Sequence, residues 1–324
     1  MNADPAPRTS RSTLLGPGLL FVFATAVISG VSTFVNLYAV HGTNSDAFVT
    51  VRNAAVALIL VPVALVTVGV SRRAYALRGQ DWARLVAIGV IGGGIPFLLF
   101  FHGLALAAAA HGGITASFLY RTLFLMATVL GVVYLREHFH WRAVLAATLL
   151  LGGNFLLLQL TNPVWSTGSY YVLAATAMWA VEYTISKRAL RDIASGTVAL
   201  GRMGFGAAFL LLYLGATAQY GSVAAFSPAQ WTWVGISAAF LTAFVVTWYA
   251  GLKHVDVGVA TSVLVLGFPI SWLLAVAVQG AAVTLPESIG AAVVVGGVIA
   301  AVGTQAFRST WQYLTSAGWR RPTA

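Results

Sequence analysis

Residues 85–107 read LVAIGVIGGGIPFLLFFHGLALA, a run without a single Asp, Glu, Lys or Arg. As a helix rising about 1.5 Å per residue, it is long enough to cross the roughly 30 Å hydrocarbon core of a bilayer. Its centre, Gly92-Gly93-Gly94-Ile95-Pro96, would break a helix in water. In lipid such a break is tolerated where neighbouring helices or an internal cavity satisfy the freed backbone groups.

Outward from this stretch, comparable apolar runs recur near 17–40, 47–70, 113–135 and 142–160. A second series lies near 169–189, 198–219, 231–252, 257–278 and 289–307. Together they make ten spans and use nearly all of the 324 residues, leaving no room for a soluble domain. Composition agrees, with 59% hydrophobic and 8% charged residues, where a soluble domain carries about 25% charged. Mean hydropathy is +0.86. The fold class expected is therefore an all-α membrane protein. The first run follows Arg8 and Arg11 but is too long for a signal-peptide core, so it counts as a retained span.

Charge is distributed by loop. One set of loops contains Arg8 and Arg11; Arg72, Arg73, Arg78 and Arg84; Arg136 and Arg142; Lys187, Arg188 and Arg191; Lys253; and Arg308, Arg320 and Arg321. The alternate set, 41–46, 108–112, 161–168, 220–230 and 279–288, has no Lys or Arg. The positive-inside rule then puts both termini in the cytoplasm, which an even number of spans requires. The net charge of +10 is read as topology control and attraction to anionic lipid rather than nucleic-acid binding. Cysteine is absent, which excludes disulfides, thiolate metal sites and a cysteine nucleophile.

The two halves repeat at an offset that drifts from 151 to 144 residues. Ala24–Ile28 aligns with Ala175–Trp179, Arg52 with Arg202, Gly103-Leu104 with Gly251-Leu252, and Gly152-Gly153 with Gly296-Gly297. Asn36 falls opposite Lys187, and Val31 opposite Glu182. Five spans per half is an odd number, so the second half enters the membrane from the opposite side. Inverted repeats of this kind are typical of secondary transporters, with a site near the midplane between the halves. The expected division is a cytoplasmic tail 1–16, repeats 17–160 and 161–307, and a cytoplasmic tail 308–324.

Several of these features resemble the drug/metabolite transporter superfamily in its form with two EamA-type domains. They are the Arg opening spans 2 and 7 and the small-residue turns into spans 4 and 9 (Ala105 to Ala110; Val257 to Ala260). Leu135-Arg136-Glu137 and the late glycine pairs of spans 5 and 10 complete the likeness. The resemblance covers about residues 17–307. It implies a cavity lined by spans 1–4 and 6–9, with spans 5 and 10 peripheral. Two departures stand out: span 9 has Pro269 where span 4 carries Arg121, and the second half reads Gln279-Gly280-Ala281 in place of the Glu motif.

Ionisable groups inside a bilayer cost at least about 2.5–3.5 kcal/mol and usually face a cavity or a partner. Arg121 lies deep in span 4, as a clamp for an anionic substrate group or as a structural ion pair. Glu182 is the one acidic residue deep in any span, with Trp179 and Ser186 on its helical face. It suits a substrate ammonium, a coupled proton, or a static pair with Arg121. Lys187, Asn36 and His102 complete the substrate-path candidates; for Lys187 snorkelling, and for the other two a helix–helix hydrogen bond, is the simpler role. Arg52 and Arg202 serve either as helix-end charges or in the substrate path. Gly94, Pro96 and Pro269 are hinge candidates.

No phosphate-cradling loop, zinc-binding His-Glu-x-x-His or clustered histidine spacing occurs, so neither cofactor nor metal is expected. The expected partners are a small-molecule substrate and the lipid bilayer, with a coupled proton and a homodimer compatible with the pattern. The leading expectation is a carrier, not an enzyme, in the cytoplasmic membrane. It exports an amino acid or other carboxylate by alternating access. A membrane-embedded enzyme on a lipid-linked substrate and a non-transporting scaffold are the alternatives.

Overall fold

A computed structural model describes residues 11–39, 44–71 and 77–303, and these are all helix and connecting turn with no strand. The tail and loop arginines Arg8, Arg72, Arg73, Arg308, Arg320 and Arg321 lie outside the described residues. Ten helical segments carry the fold. In the first half they are α1 (Arg11–Ala39), α2 (Ser45–Ser71), α3 (Gly79–Ala109), α4 (Gly113–Leu135) and α5 (Trp141–Leu157). In the second they are α6 (Thr167–Ala189), α7 (Ser195–Ala216), α8 (Pro228–Leu252), α9 (Val257–Gln279) and α10 (Leu285–Val302). Eight are long and apolar enough to cross a membrane unaided. The other two are α5, which is short, and α6, which carries Glu182, Lys187 and Arg188. The polarity of α6 has a physical reason: Ser169, Thr176, Glu182 and Ser186 on it are fully buried, so they face protein rather than lipid.

The principal helix contacts run between the halves. α5 packs on α10, α2 on α7, α1 on α8, α3 on α6, and α4 on α9. Exchanging each helix for its counterpart five places on returns the same set: α1–α8 becomes α6–α3, and the other three pairs map onto themselves. α1–α9 likewise becomes α6–α4, and both contacts are present. This closure is what a pseudo-two-fold axis in the membrane plane requires of inverted repeats.

Glycine makes the close crossings. Lipid tails supply no hydrophobic force between helices, so association depends on backbones approaching near enough for dispersion contacts. A Cβ on Gly168 would collide with the α3 backbone at Gly103 and Ala107, and one on Gly251 with Gly18 and Val22 of α1. These are the two-fold-related α3–α6 and α1–α8 crossings, and the glycines that the repeat aligns lie in them. At α5–α10, Gly153 meets Gly290 and Val294 in the same way.

Helices α3, α4 and α9 are interrupted. In α3, residues Gly89–Gly94 form a π-helical turn ahead of Pro96, an element that recurs at functional sites. α4 breaks at Thr122, whose hydroxyl donates to Leu119 O at 2.6 Å. α9 breaks at Val265-Leu266, and the Val265 carbonyl, which Pro269 cannot serve, accepts from Phe268 N at 3.1 Å.

The crossing of α3 and α7 gives a direct test. A side chain at Gly206 would run into the backbone of Gly93, whereas Gly204, one turn-edge away, has nothing within 4 Å. Gly206→Val is expected to cost roughly 1–3 kcal/mol or more through overpacking and to lower the thermal-unfolding midpoint in detergent, while Gly204→Val leaves it near wild type. Equal midpoints for the two variants would contradict the crossing.

Candidate functional site

Pro96 has no N–H, so the π-helical turn of α3 before it is short of one backbone donor, and the Gly92 O carbonyl in that turn is met by side chains. Trp179 Nε1 donates to it at 3.0 Å and Arg202 Nη2 at 3.3 Å. Next to it, Gly93 O accepts from Asn53 Nδ2 at 3.2 Å, and Asn53 Oδ1 in turn accepts from Arg52 Nε and Nη2 at 3.2 and 3.1 Å. One broken turn of α3 therefore fixes residues from α2, α6 and α7. It also sets both repeat-related arginines against the same point of the seam.

Beside this point lies a cavity of about 160 Å³. Ser29, Ser32, Thr33 and Asn36 of α1 line it, with Arg52 of α2 and Arg202 of α7. Phe97, Phe100 and Phe101 of α3, Tyr120 of α4, and Trp179 and Tyr183 of α6 form its aromatic wall, and Ser237, Leu241 and Phe244 of α8 close the ring. The rings interlock: Trp179 lies 5.5 Å from Phe97, 5.4 Å from Phe100 and 5.6 Å from Tyr120, mostly edge to face. α5 and α10 contribute nothing, as the resemblance implied. α9 approaches only through Phe268, 6.0 Å from the Tyr120 ring. The lining of α1 to α4 lies on the half of each helix nearer the loops without Lys or Arg, whereas Trp179, Tyr183, Arg202 and Phe244 lie at mid-helix or nearer the basic face. The cavity therefore runs from the middle of the bundle toward the loops without Lys or Arg.

Below the cavity, toward the basic face, Glu182 is fully buried. Its Oε1 accepts from Ser186 Oγ at 2.5 Å and from Tyr249 Oη at 2.7 Å, and its Oε2 lies 3.6 Å from Arg202 Nε. A Cβ at Gly92 would strike the Glu182 side chain, so the glycine is what lets the carboxylate in. The expected pairing of Glu182 with Arg121 is not what forms; its cation is Arg202.

Arg121 points elsewhere. Nη1 donates to Asn154 Oδ1 at 3.0 Å and the guanidinium stacks 4.1 Å over the Phe268 ring. It ties α4 to α5 and α9 without lining the cavity. Lys187 does not snorkel: Nζ donates to Leu252 O and Val255 O at 2.7 Å and to Lys253 O at 3.3 Å, gripping the turn that ends α8. On the other side of that turn, Glu137 Oε1 accepts from Val257 N at 2.9 Å. Burial raises the Glu137 carboxyl above the ordinary carboxylate value, against the pull of the Val257 N–H and the Lys187 charge. Asn36 accepts from Ser237 Oγ at 2.9 Å and donates to Ser32 Oγ at 3.3 Å, an inter-half bond at the cavity rim. His102 lies outside the cavity, with Nε2 3.2 Å from Asp46 Oδ2.

The structure thus gathers Arg52, Arg202, Trp179 and Asn36 at one cavity, stacks Glu182 and Ser186 beneath it, and leaves Arg121, Lys187 and His102 in other contacts. Gly94 and Pro96 lie in the broken turn of α3, and Pro269 just past the break in α9. Sequence reasoning missed the three tyrosines Tyr120, Tyr183 and Tyr249, whose signal was a phenol deep in an apolar run.

The EamA-like transporter family matches residues 16–159 and 166–303. A solved structure titled only "Crystal structure of protein" superposes with a TM-score of 0.69 at 19% identity, covering 88% of this chain and 96% of that one, and it supports the fold alone. No curated protein matches the chain.

The Glu182–Arg202 contact predicts a specific thermodynamic cycle. Arg202→Met leaves an uncompensated buried carboxylate and is expected to cost about 3–5 kcal/mol, while adding Glu182→Gln recovers most of that loss. Thermal unfolding of the two single variants and the double variant measures the coupling, and additive effects would mean that the two side chains do not interact.

Proposed function

The chain belongs to the EamA-like transporter family, an EamA-type branch of the drug/metabolite transporter superfamily, and from that premise we propose a secondary carrier. It moves a small polar metabolite bearing a carboxylate, an amino acid or a simpler acid, across the cytoplasmic membrane by alternating access. The observation that carries this reading is the mid-membrane cavity at the seam of two pseudo-symmetric halves. The charge alternation of the loops supports cytoplasmic termini and a basic face inside. On that orientation the described conformation faces outward. Repeats bounded near 17–160 and 161–307 would rock about the self-related pairs α2–α7, α4–α9 and α5–α10.

The inner closure rests on named contacts. Lys187 from α6 and Glu137 from the end of α4 hold the 253–256 turn from two sides. Asn36, the repeat counterpart of Lys187, makes only neutral hydrogen bonds at the outer rim. Hydrogen bonds to a charged donor are worth roughly 1.5–3 kcal/mol against about 1 for neutral ones, so the inner latch outweighs the outer one and outward-facing is the resting state. Enzymatic use of the same cavity is disfavoured because the serine, threonine and tyrosine hydroxyls in its lining have no His, Asp, Glu or Lys beside them in that lining to activate them. A proton carried on Glu182 and export as the net direction belong to the same proposal. Full pH dependence in transport by Glu182→Gln would remove the proton, and net flux in oriented vesicles decides the direction.

The absence of cysteine makes the test clean. In oriented vesicles, Ser32→Cys is expected to react with an impermeant maleimide from the outer face and slowly from the inner. Adding Lys187→Met should raise inner-face labelling several-fold, since the population shifts by the energy the latch loses. Labelling unaffected by Lys187→Met would show that the turn is not a gate. Counterflow of labelled metabolites in proteoliposomes tests carriage itself.

A further inference from the structure

Two guanidinium groups enter the cavity, one from each half, and a single carboxylate answers them. Arg52 is 5% exposed and, among the described residues, its side chain meets the neutral Asn53 Oδ1 and the Phe97 ring at 5.2 Å. Arg202 is 3% exposed and shares Glu182, but its Nε and Nη1 make no hydrogen bond, and neither does Glu182 Oε2. The other carboxylate oxygen is already taken by Ser186 and Tyr249. No further acid lines the cavity; Asp46, the nearest acid on α2, is engaged by His102 and Tyr213. Two cations against one anion leave one positive charge without a counter-charge among the side chains around the cavity. An uncompensated buried charge is penalised by several kcal/mol, so the site is built for an anion that supplies the missing half.

The rest of the lining limits what that anion carries. Phe97, Phe100, Tyr120 and Trp179 offer ring faces and edges, which suit an apolar or aromatic body. The polar remainder, Ser29, Ser32, Thr33, Asn36 and Ser237, is neutral. An ammonium group would therefore find two arginines and no free carboxylate.

We infer that the substrate is a small monoanion with an apolar, ring-bearing body and no ammonium group, its carboxylate held between Arg52 and Arg202. The inference rests on the carrier reading above and narrows it from carboxylates in general to those that are not zwitterions. The pair is suited to alternating access because the repeat relates the two arginines. When the halves exchange conformations, Arg52 and Arg202 exchange roles, and the anion keeps the same two planar donors throughout.

Three ligands sharing one ring test this: 3-phenylpropionate, phenylalanine and 2-phenylethylamine, each added to the purified full chain at neutral pH. Binding is read by calorimetry and by thermal stabilisation, since a ligand that binds only the folded state raises its apparent stability. The expected order is 3-phenylpropionate first, phenylalanine at least about tenfold weaker, and the amine without effect. Arg52→Gln, which strands no acid, should weaken the carboxylate about tenfold or more, and Arg121→Gln should leave it unchanged. Phenylalanine binding as tightly as 3-phenylpropionate, an affinity indifferent to Arg52→Gln, or no binding by any of the three would each overturn the inference. Counterflow separates it from its premise. A carboxylate that binds through Arg52 but is not carried across the bilayer leaves the anion site standing and removes the carrier. A zwitterion that is carried, and bound more tightly, does the reverse.

Discussion

The hydrogen bonds to Gly92 O carry more of this molecule than any single apolar contact. In a bilayer a carbonyl in the interrupted stretch of a helix cannot turn to water, and leaving it unpaired costs several kcal/mol. Two side chains from other helices satisfy it, Trp179 from α6 and Arg202 from α7. Because both belong to the second half and Gly92 to the first, the defect in α3 becomes a joint between halves. The aromatic wall hangs on Trp179, the ion pair with Glu182 hangs on Arg202, and the α2 arginine is held through Asn53 to the adjoining carbonyl at Gly93. A helix that ran straight through residues 89–96 would leave the cavity without its floor.

Much of the architecture can be read from apolar run length and loop charge. Each span placed from those runs is met by a helix, with boundaries shifted by a few residues; α3 starts earlier, at Gly79, where Asp81 Oδ2 accepts from Arg78 N at 3.0 Å. The correspondence of Arg52 with Arg202 was also legible, although both were equally readable as helix-end charges. Depth along a helix axis is what sequence position conveys well. Azimuth is what it conveys poorly. Arg121 lies early in α4 and Glu182 late in α6, two helices that begin at the same face, so the two differ in depth as well as in azimuth. The break at Thr122 turns Arg121 toward Asn154 and Phe268, and the glycines of α3 open the space through which Glu182 meets Arg202. Lys187 was misread for a related reason: a lysine near a helix end reaches either headgroups or a neighbouring turn, and only the packing of α6 against the end of α8 decides which.

The halves share a scaffold and differ in charge. At the site, Arg202 is backed by a carboxylate and Arg52 by a neutral amide; at the two gates, a lysine faces an asparagine across the pseudo-two-fold. Backbone packing is nearly symmetric, so these few side chains are what most distinguish the two halves. A carrier needs such differences to be small, because a state favoured by more than about 5.5 kcal/mol is populated almost exclusively.

The dominance of contacts between halves bears on how the chain is made. α1 to α5 enter the bilayer before any of their main partners exists, since α1 awaits α8, α2 awaits α7 and α5 awaits α10. Until then the glycine faces of Gly18, Gly103 and Gly153 have no partner helix, and Gly92 O lacks both of its side-chain donors. Synthesis of the last helix is therefore the step that completes assembly. A ribosome that stops early releases a fragment with every hallmark of a substrate for membrane quality control.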